Sequence, residues 1–301
     1  MTLDVVSEKL YELVSPDAQL EPLADGYGFL EGLVWDMAAG ALLFSDITKN
    51  RRGRWVAATQ TAEIVMEPSN ISNGLAFEAD GSLLVCEHAT SSVVRESAGG
   101  ERTTIASHYA GHELNSPNDI VVSPAGAIYF TDPPYGRFPG WGIERAQDLD
   151  FQGVFMIPPG GGELTLLTSD FEGPNGLCFS PEHSVLYIND SARAHIRAFG
   201  LAPDGTLTNG RVHAENIGTG DPAQGIPDGM KCDERGDIWV TGPGGVWVLG
   251  PDGEHLGTIR TPEGVGNLAW GGPDYRTLFI GASSTLFRLQ TKVATHTEPH
   301  M

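Results

Sequence analysis

The sequence of 301 residues is short of basic residues and of cysteine. Lys and Arg together number 18 against 39 Asp and Glu, which gives a formal net charge of -21. A negatively charged surface repels a phosphate backbone or an anionic membrane, so nucleic acid and membrane are not expected partners. The three cysteines, Cys86, Cys178 and Cys232, are dispersed without a Cys-x-x-Cys pair. This excludes a disulfide framework or thiolate metal site and predicts buried free thiols in a cytoplasmic protein.

Long apolar runs are also missing. No run approaches the roughly 20 apolar residues that cross a bilayer. The first residues, MTLDVVSEKLYELV, carry Asp4 and Glu8 where a secretory signal would be basic. What the sequence does contain is 39 Gly and 20 Pro between short apolar runs. Many turns between short strands are typical of an all-β protein.

Six segments of the sequence share one layout. Each opens on an acid or amide, continues with three or four mostly apolar residues, turns at a polar or Gly-containing stretch, and resumes as a second apolar run. The segments begin at Glu31, Asn73, Asn118, Asn175, Asp228 and Asn267. They recur about every 40 to 57 residues, a period typical of propeller blades with four short strands. The repeat predicts a six-bladed β-propeller.

The opening residues of the six segments should meet at one place. The innermost strand of each propeller blade lines the central channel, so equivalent residues at its start converge around the axis. Taken singly, each could be a turn residue that binds its own backbone. Taken together, six oxygen-bearing side chains that include the carboxylates of Glu31 and Asp228 favour a shared hard cation such as Ca²⁺ or Mg²⁺. The sequence therefore predicts a central-channel metal site.

The repeat divides the chain into three regions. Residues 1–20 are predicted to form an N-terminal extension with a short helix in SEKLYELV, residues 21–290 the propeller, and residues 291–301 a polar C-terminal tail. The stretch AQLEPLA, residues 18–24, is predicted to pair with the last blade. That pairing would close the ring and remove a free sheet edge.

Nine ordered blocks, covering roughly residues 20 to 290, resemble one known family. The blocks are EGLVWD, CEHATSSVVR, LNSPNDIVV, YFTDPPYG, PNGLCFSP, HIRAF, LTNGRV, PDGMKCDERGDIWV and NLAWGGPDYRTLFI. In order and spacing they resemble the gluconolactonase branch of the family that contains senescence marker protein and luciferin-regenerating enzyme. The resemblance implies a six-bladed propeller with one divalent cation in its channel.

The resemblance also implies which residues bind the cation. Matched to this sequence, they are Glu31 in EGLVW, Asn118 in SPND, Asn175 in PNG and Asp228 in PDG. All four belong to the six positions that the repeat brings together. The sequence departs from the family at Leu33, where the family usually has Pro. It also departs in RFPGWGIERAQDLDFQG, residues 137–153, which matches no block.

The implied function is metal-dependent hydrolysis of a sugar lactone such as glucono-1,5-lactone to the aldonic acid. A divalent cation would polarise the lactone carbonyl and stabilise the oxyanion. A carboxylate would take a proton from the attacking water. The resemblance indicates Asp228 as this base, with Glu31 as the alternative. We expect Ca²⁺, although oxygen ligands also accept Mg²⁺, Mn²⁺, Zn²⁺ or Fe²⁺, and we expect a monomer or homodimer.

Several polar residues at strand ends are candidates for binding the hydroxyl groups of the sugar. They are Asn73, His88, Asp132 and Tyr135. No G-x-S-x-G nucleophile elbow accompanies His88, which favours a structural or orienting role. Asp132 is alternatively a turn cap before Pro133. Trp141 and Arg193 are candidates for shaping the entrance.

Two other functions fit the same propeller. One is hydrolysis of an organophosphate or aryl ester on the same cation. The other is a non-catalytic propeller that binds calcium or a protein partner through its channel face. Turnover of lactones and phosphotriesters, with and without a chelator, separates these possibilities.

Overall fold

Six antiparallel sheets follow one another along the chain. The computed structural model describes residues 2–295, and we number the sheets as blades one to six. The first four blades each contain four strands in chain order: Leu30–Asp36, Ala41–Asp46, Arg51–Val56 and Thr61–Met66 in blade one; Ser72–Phe77, Leu83–Glu87, Ser92–Glu96 and Arg102–Ala106 in blade two; Ile120–Val122, Ile128–Asp132, Gln152–Ile157 and Thr165–Phe171 in blade three; Pro174–Phe179, Val185–Asp190, His195–Leu201 and Leu207–Ala214 in blade four.

The N-terminal segment contributes strands to the last two blades. The strands are Met230–Cys232, Ile238–Gly242, Gly245–Leu249, His255–Arg260 and Leu3–Val5 in blade five, and Val265–Gly271, Thr277–Ala282, Thr285–Gln290 and Glu21–Ala24 in blade six. Pairing of Glu21–Ala24 with Thr285–Gln290 is the ring closure predicted from AQLEPLA. The strand Leu3–Val5 was not predicted, so part of the expected extension belongs to blade five.

Regular structure outside the blades is sparse. It consists of the helix Leu10–Leu13, the 3₁₀ turns Ile47–Lys49, Tyr135–Arg137 and Pro222–Gln224, and the short hairpin of His108–Tyr109 with His112–Glu113. The helix is shorter than SEKLYELV. Residues 296–301 of the predicted C-terminal tail lie outside the described residues, whereas Val293 is buried against blades five and six. No helix in residues 2–295 is long and apolar enough to cross a membrane.

The hydrophobic core lies between the faces of neighbouring blades. Trp35 of blade one stacks on Phe279 of blade six with ring centroids 5.4 Å apart. Trp239 of blade five meets Trp270 of blade six edge-on at 5.2 Å. Each blade is thus apolar on both faces, as expected when twisted sheets pack radially. The three cysteines are buried thiols outside any disulfide, as predicted.

The first strands of the blades form the inner ring. Each first strand contacts the first strands of both neighbouring blades, and blade six returns to blade one. All six first strands occupy the same position in their blades, so their starts face one end of the channel. This arrangement brings the opening residues of the repeat to a single place.

Candidate functional site

A cavity of about 330 Å³ lies at the end of the channel where the first strands begin. Its polar side chains are Glu31, Asn73, His88, Asn118, Tyr135, Asn175 and Asp228. Its large apolar side chains are Phe29, Ile47, Phe138, Trp141, Ile226 and Val265. Five of the six repeat positions therefore line one cavity. We call this space the channel cavity.

Three of the predicted ligand side chains contact one another directly. The carboxyl groups of Glu31 and Asp228 lie within hydrogen-bonding contact, and the Asn175 side chain is hydrogen-bonded to Asp228. Asn175 Nδ2 donates to Ser191 Oγ at 3.0 Å. Glu31 Oε2 accepts from Gly32 N at 3.1 Å and from Asn267 Nδ2 at 2.9 Å. The sixth repeat residue, Asn267, therefore does not line the cavity but holds Glu31.

The buried carboxyl groups resist ionisation in this arrangement. Burial, reinforced by the nearby charge of Asp119, raises the pKa of Glu31 to about 7. Burial and repulsion from Glu31 and Asp119 raise the pKa of Asp228 well above its ordinary value. Two like charges this close and this buried need a positive partner to remain ionised together.

The oxygen atoms present fit a hard divalent cation. Asn175 Oδ1 is buried and has no hydrogen-bond partner in the described structure, although a buried amide oxygen without a donor is costly. No three His, Cys, Asp or Glu side chains within residues 2–295 are grouped to hold a metal. A cation here would therefore depend on the amide oxygens of Asn118 and Asn175 together with Glu31 and Asp228. Carboxylate and amide oxygens are ligands that Ca²⁺ and Mg²⁺ prefer.

Glycines next to the site residues allow neighbouring blades to approach closely. Gly74 N donates to Asn118 O at 2.8 Å, and a Cβ on Gly74 would lie 2.4 Å from that oxygen. A Cβ on Gly176 would lie 2.1 Å from Asp228 O. The NG dipeptides of the repeat therefore have a packing reason: the backbone of one blade lies against the site residue of the next.

His88 is a neutral imidazole that links two sides of the cavity. Its Nδ1 lies 2.9 Å from Trp141 O, and since a carbonyl only accepts, Nδ1 carries the proton. Nε2 then accepts from Asn73 Nδ2 at 3.1 Å. Burial lowers the pKa of His88 to about 4, and the nearby Arg145 acts in the same direction. His88 and Asn73 therefore present fixed polar groups to the cavity.

The unmatched stretch, residues 137–153, forms part of the cavity wall. Arg137 anchors it by donating to Asn115 O at 2.7 Å and Leu114 O at 2.6 Å. Trp141 packs edge-on against Phe29 with centroids 4.8 Å apart. Phe138 and Trp141 both line the cavity while staying partly exposed. This stretch therefore supplies much of the apolar lining.

The other candidate residues differ in their placement. Tyr135 lines the cavity, and burial raises its pKa while its hydroxyl is hydrogen-bonded to Ser191. Asp132 does not line the cavity, and its carboxylate accepts from Asn115 N and Ser116 N, each at 2.8 Å, so its donors come from the loop before Asn118 and not from the turn at Pro133. Arg193 is also absent from the lining and donates to Asp170 O at 2.9 Å.

Two charged residues near the site, Asp119 and Lys231, were not predicted from the sequence. Asp119 is buried, its Oδ2 has no hydrogen-bond partner in the described structure, and burial raises its pKa. Lys231 lies close enough to lower the pKa of both Asp119 and Glu31. In the sequence each looks like a residue within or next to a strand. The signal that could have found them is their position directly after, or three residues after, a repeat opening.

Known proteins are similar to this chain over most of its length. Residues 29–284 match the model of the SMP-30/gluconolactonase/LRE-like region. A gluconolactonase from Zymomonas mobilis is 32% identical, covering 95% of this chain and 85% of that protein. The pentonolactonase XacC from Haloferax volcanii is 27% identical, covering 83% of this chain and 80% of that protein.

The fold comparison leads to the same group of proteins. The solved structure of a gluconolactonase from Xanthomonas campestris has a TM-score of 0.88 and 32% identity. The match covers 97% of this chain and 95% of the other. The family model spans most of the propeller, including all four residues that the resemblance indicates as ligands. The chain belongs to the SMP-30/gluconolactonase/LRE-like family.

Proposed function

We propose that this protein is a metal-dependent lactonase that hydrolyses a sugar lactone, such as glucono-1,5-lactone, to the aldonic acid. The observation that carries the proposal is the meeting of Glu31, Asp228 and the unpartnered Asn175 Oδ1 in one cavity. The names of two relatives, a gluconolactonase and a pentonolactonase, support lactones as the substrate class.

Glu31, Asn118, Asn175 and Asp228 would hold the cation. When bound, a divalent cation supplies Lewis-acid polarisation of the lactone carbonyl and stabilisation of developing negative charge. Ca²⁺ suits this all-oxygen donor set, and Mg²⁺, Mn²⁺, Zn²⁺ or Fe²⁺ are the other candidates.

Asp228 is the proposed general base. Its carboxylate lies in the cavity beside Glu31 and takes a proton from water as the water oxygen attacks the carbonyl carbon. The ring C–O ester bond then breaks, and the proton passes to the alkoxide oxygen that leaves. The products are one carboxyl group and one hydroxyl group on the same open chain.

The remaining lining residues would bind the sugar. Asn73, His88 and Tyr135 offer polar atoms to its hydroxyl groups, and the rings of Phe138 and Trp141 can pack on its C–H faces. None of the described residues that line the cavity is Lys or Arg. A neutral lactone therefore fits better than a phosphorylated or carboxylated one.

A lactone assay with controlled metal content tests the proposal. Protein stripped with EDTA is returned to Ca²⁺, Mg²⁺, Mn²⁺ or Zn²⁺, and acid release from glucono-1,5-lactone is followed with a pH indicator above the spontaneous rate. We expect turnover that disappears with chelator and returns with one of the ions. A phosphotriester and an aryl ester are run in parallel. Cleavage of those esters alone, or cation binding without turnover of any ester, would overturn the lactonase assignment.

A further inference from the structure

A buried acidic residue ends the second strand in each of the first four blades. These residues are Asp46, Glu87, Asp132 and Asp190. None of them lines the channel cavity. A carboxylate removed from water needs hydrogen-bond donors around it, so the donors reveal what each carboxylate holds in place.

In blades one, three and four the donors include two consecutive backbone N–H groups, while Arg51 Nε also donates to Asp46 and Arg193 N to Asp190. Asp46 accepts from residues 28 and 29 at 2.9 and 3.2 Å. Asp132 accepts from residues 115 and 116, both at 2.8 Å. Asp190 accepts from residues 172 and 173 at 2.9 and 3.0 Å. The same contact thus occurs three times.

Each N–H pair lies at one fixed distance from a site residue. It comes three and two positions before Glu31 in blade one, before Asn118 in blade three and before Asn175 in blade four. These are three of the four proposed cation ligands. The carboxylate therefore fixes the loop from which its own blade presents a ligand.

The residue before each of these carboxylates reaches the following blade. Ser45 Oγ donates to Asn73 O at 2.8 Å. Thr131 Oγ1 donates to Asn175 O at 2.8 Å, and Asn189 Nδ2 donates to Asp228 O at 2.6 Å. In every case the acceptor is the backbone carbonyl of the next blade's site residue.

We infer that the dipeptides Ser45–Asp46, Thr131–Asp132 and Asn189–Asp190 are positioning residues that hold the cavity's side chains in place for binding a cation. The acid anchors the loop of its own blade, and the preceding residue anchors the next blade. The inference rests on the proposed function, since it takes Glu31, Asn118, Asn175 and Asp228 as ligands. Fixed supporting contacts of this kind tune metal affinity by about 10-fold to 100-fold.

Blade two provides a matched control. Glu87 ends the equivalent strand and is as buried as Asp132, at 1% and 0% exposure. Its donors are side chains instead: Asn70 Nδ2 at 3.1 Å, Thr90 Oγ1 at 2.7 Å and Arg102. Glu87→Gln therefore changes a buried carboxylate without removing a hydrogen bond from the backbone of a loop that leads into a proposed cation ligand.

The test compares full-length Asp132→Asn, Thr131→Val and Glu87→Gln with the wild type. Asparagine keeps the size of Asp132 but offers one acceptor oxygen, so one of the two N–H bonds is lost. Calorimetric titration of Ca²⁺ and of Mn²⁺ into EDTA-stripped protein should show 10-fold to 100-fold weaker binding for Asp132→Asn and Thr131→Val. Glu87→Gln should bind like the wild type. Hydrogen exchange of the metal-free protein should be at least 10-fold faster, in Asp132→Asn only, at whichever of Asn115 and Ser116 loses its acceptor.

The outcomes separate this inference from the proposed function. Wild-type cation affinity in both Asp132→Asn and Thr131→Val would overturn the positioning role, and so would an equal loss in Glu87→Gln. If the wild type binds neither ion, the metal-dependent function is wrong. Hydrogen exchange at Asn115 and Ser116 then tests, without any cation, whether Asp132 anchors the loop of its blade. If Asp132→Asn does not fold, Thr131→Val carries the affinity test.

Discussion

At the scale of single residues, the site places two buried carboxyl groups against each other. Glu31 and Asp228 are in hydrogen-bonding contact, and Glu31 raises the pKa of Asp228. The proposed function needs both as anions, Glu31 as a ligand and Asp228 as ligand and base. Ionising both groups therefore costs stability in the cation-free protein, and a bound cation would offset that cost.

Asp228→Asn should separate activity from stability. The amide keeps the size of the side chain but cannot accept a proton from water, so we expect kcat to fall by about 10²-fold to 10⁴-fold. The same change removes repulsion against Glu31. The cation-free variant should therefore unfold at an equal or higher temperature than the cation-free wild type at pH 8. Activity assays test the loss of turnover, and thermal unfolding in EDTA tests the stability. Turnover within threefold of wild type would refute the base role of Asp228.

His88 should make stability depend on pH in a predictable direction. Its pKa is about 4 in the folded protein and near 6.5 when unfolded, so the unfolded chain takes up the proton first as pH falls. The stability that neutral His88 contributes is complete above pH 6.5 and is lost as pH falls toward 4. Between pH 7 and pH 5 the wild type should lose about 2 kcal/mol more than His88→Gln. Urea unfolding in EDTA measures this, and parallel pH curves for the two proteins would contradict it.

At the scale of elements, the sequence predicted the first two strands of each blade well. Their opening acid or amide, short apolar run and central turn are local features, and they recur at every blade. Residues 137–153 could not be placed in the same way. Arg137 holds this stretch by reaching the carbonyls of Leu114 and Asn115, and Trp141 depends on Phe29, which comes from blade one's entry loop. Contacts between distant segments leave no periodic pattern in a single sequence.

Trp141→Ala tests whether this stretch contributes to substrate binding. The Trp141 ring lines the cavity and packs on Phe29, while the His88 contact uses the Trp141 backbone. Removing the ring should therefore raise KM for the lactone about 5-fold to 30-fold, the loss of about 1 to 2 kcal/mol of packing. The catalytic rate at saturation should change little.

A neighbouring residue controls for the effect of truncating this exposed stretch. Ile143 is 50% exposed and does not line the cavity. Ile143→Ala should leave KM unchanged in the same assay. Equal KM values for Trp141→Ala and the wild type would show that the Trp141 ring does not contact substrate.

At the scale of the whole molecule, six blades form a ring that the N-terminal segment closes. The six-fold repeat predicted the ring, and the AQLEPLA segment predicted its closure. The sequence did not predict that Leu3–Val5 would add a fifth strand to blade five, because this short run carries no signal for its partner. The same limit applies to Asp119 and Lys231. Lys231 of blade five lowers the pKa of Asp119 next to blade three, and this proximity depends on how the blades are arranged around the axis.

A cation at the hub would join side chains from blades one, three, four and five. A cation that binds the folded state and not the unfolded chain should stabilise the folded state by about 2.7 kcal/mol when the free cation is at 100 times its Kd. For a chain of this length we expect the thermal unfolding temperature to rise by a few degrees. Asn175→Ala should show a smaller rise at the same cation concentration, because it removes the Oδ1 atom that lacks a partner.

The stabilisation of the fold by the cation should become smaller as the solution is acidified. The pKa of Glu31 is about 7 in the cation-free fold, above the value of roughly 4.3 expected when unfolded. The folded, cation-free protein therefore binds protons more readily than the unfolded chain, and Glu31 destabilises it less as pH falls from 8 toward 5. Protons also compete with the cation for the same carboxylates. Unfolding temperatures with excess Ca²⁺ and with EDTA should differ most near pH 8 and converge toward pH 5. A constant difference across this range would mean that the ion binds away from Glu31 and Asp228.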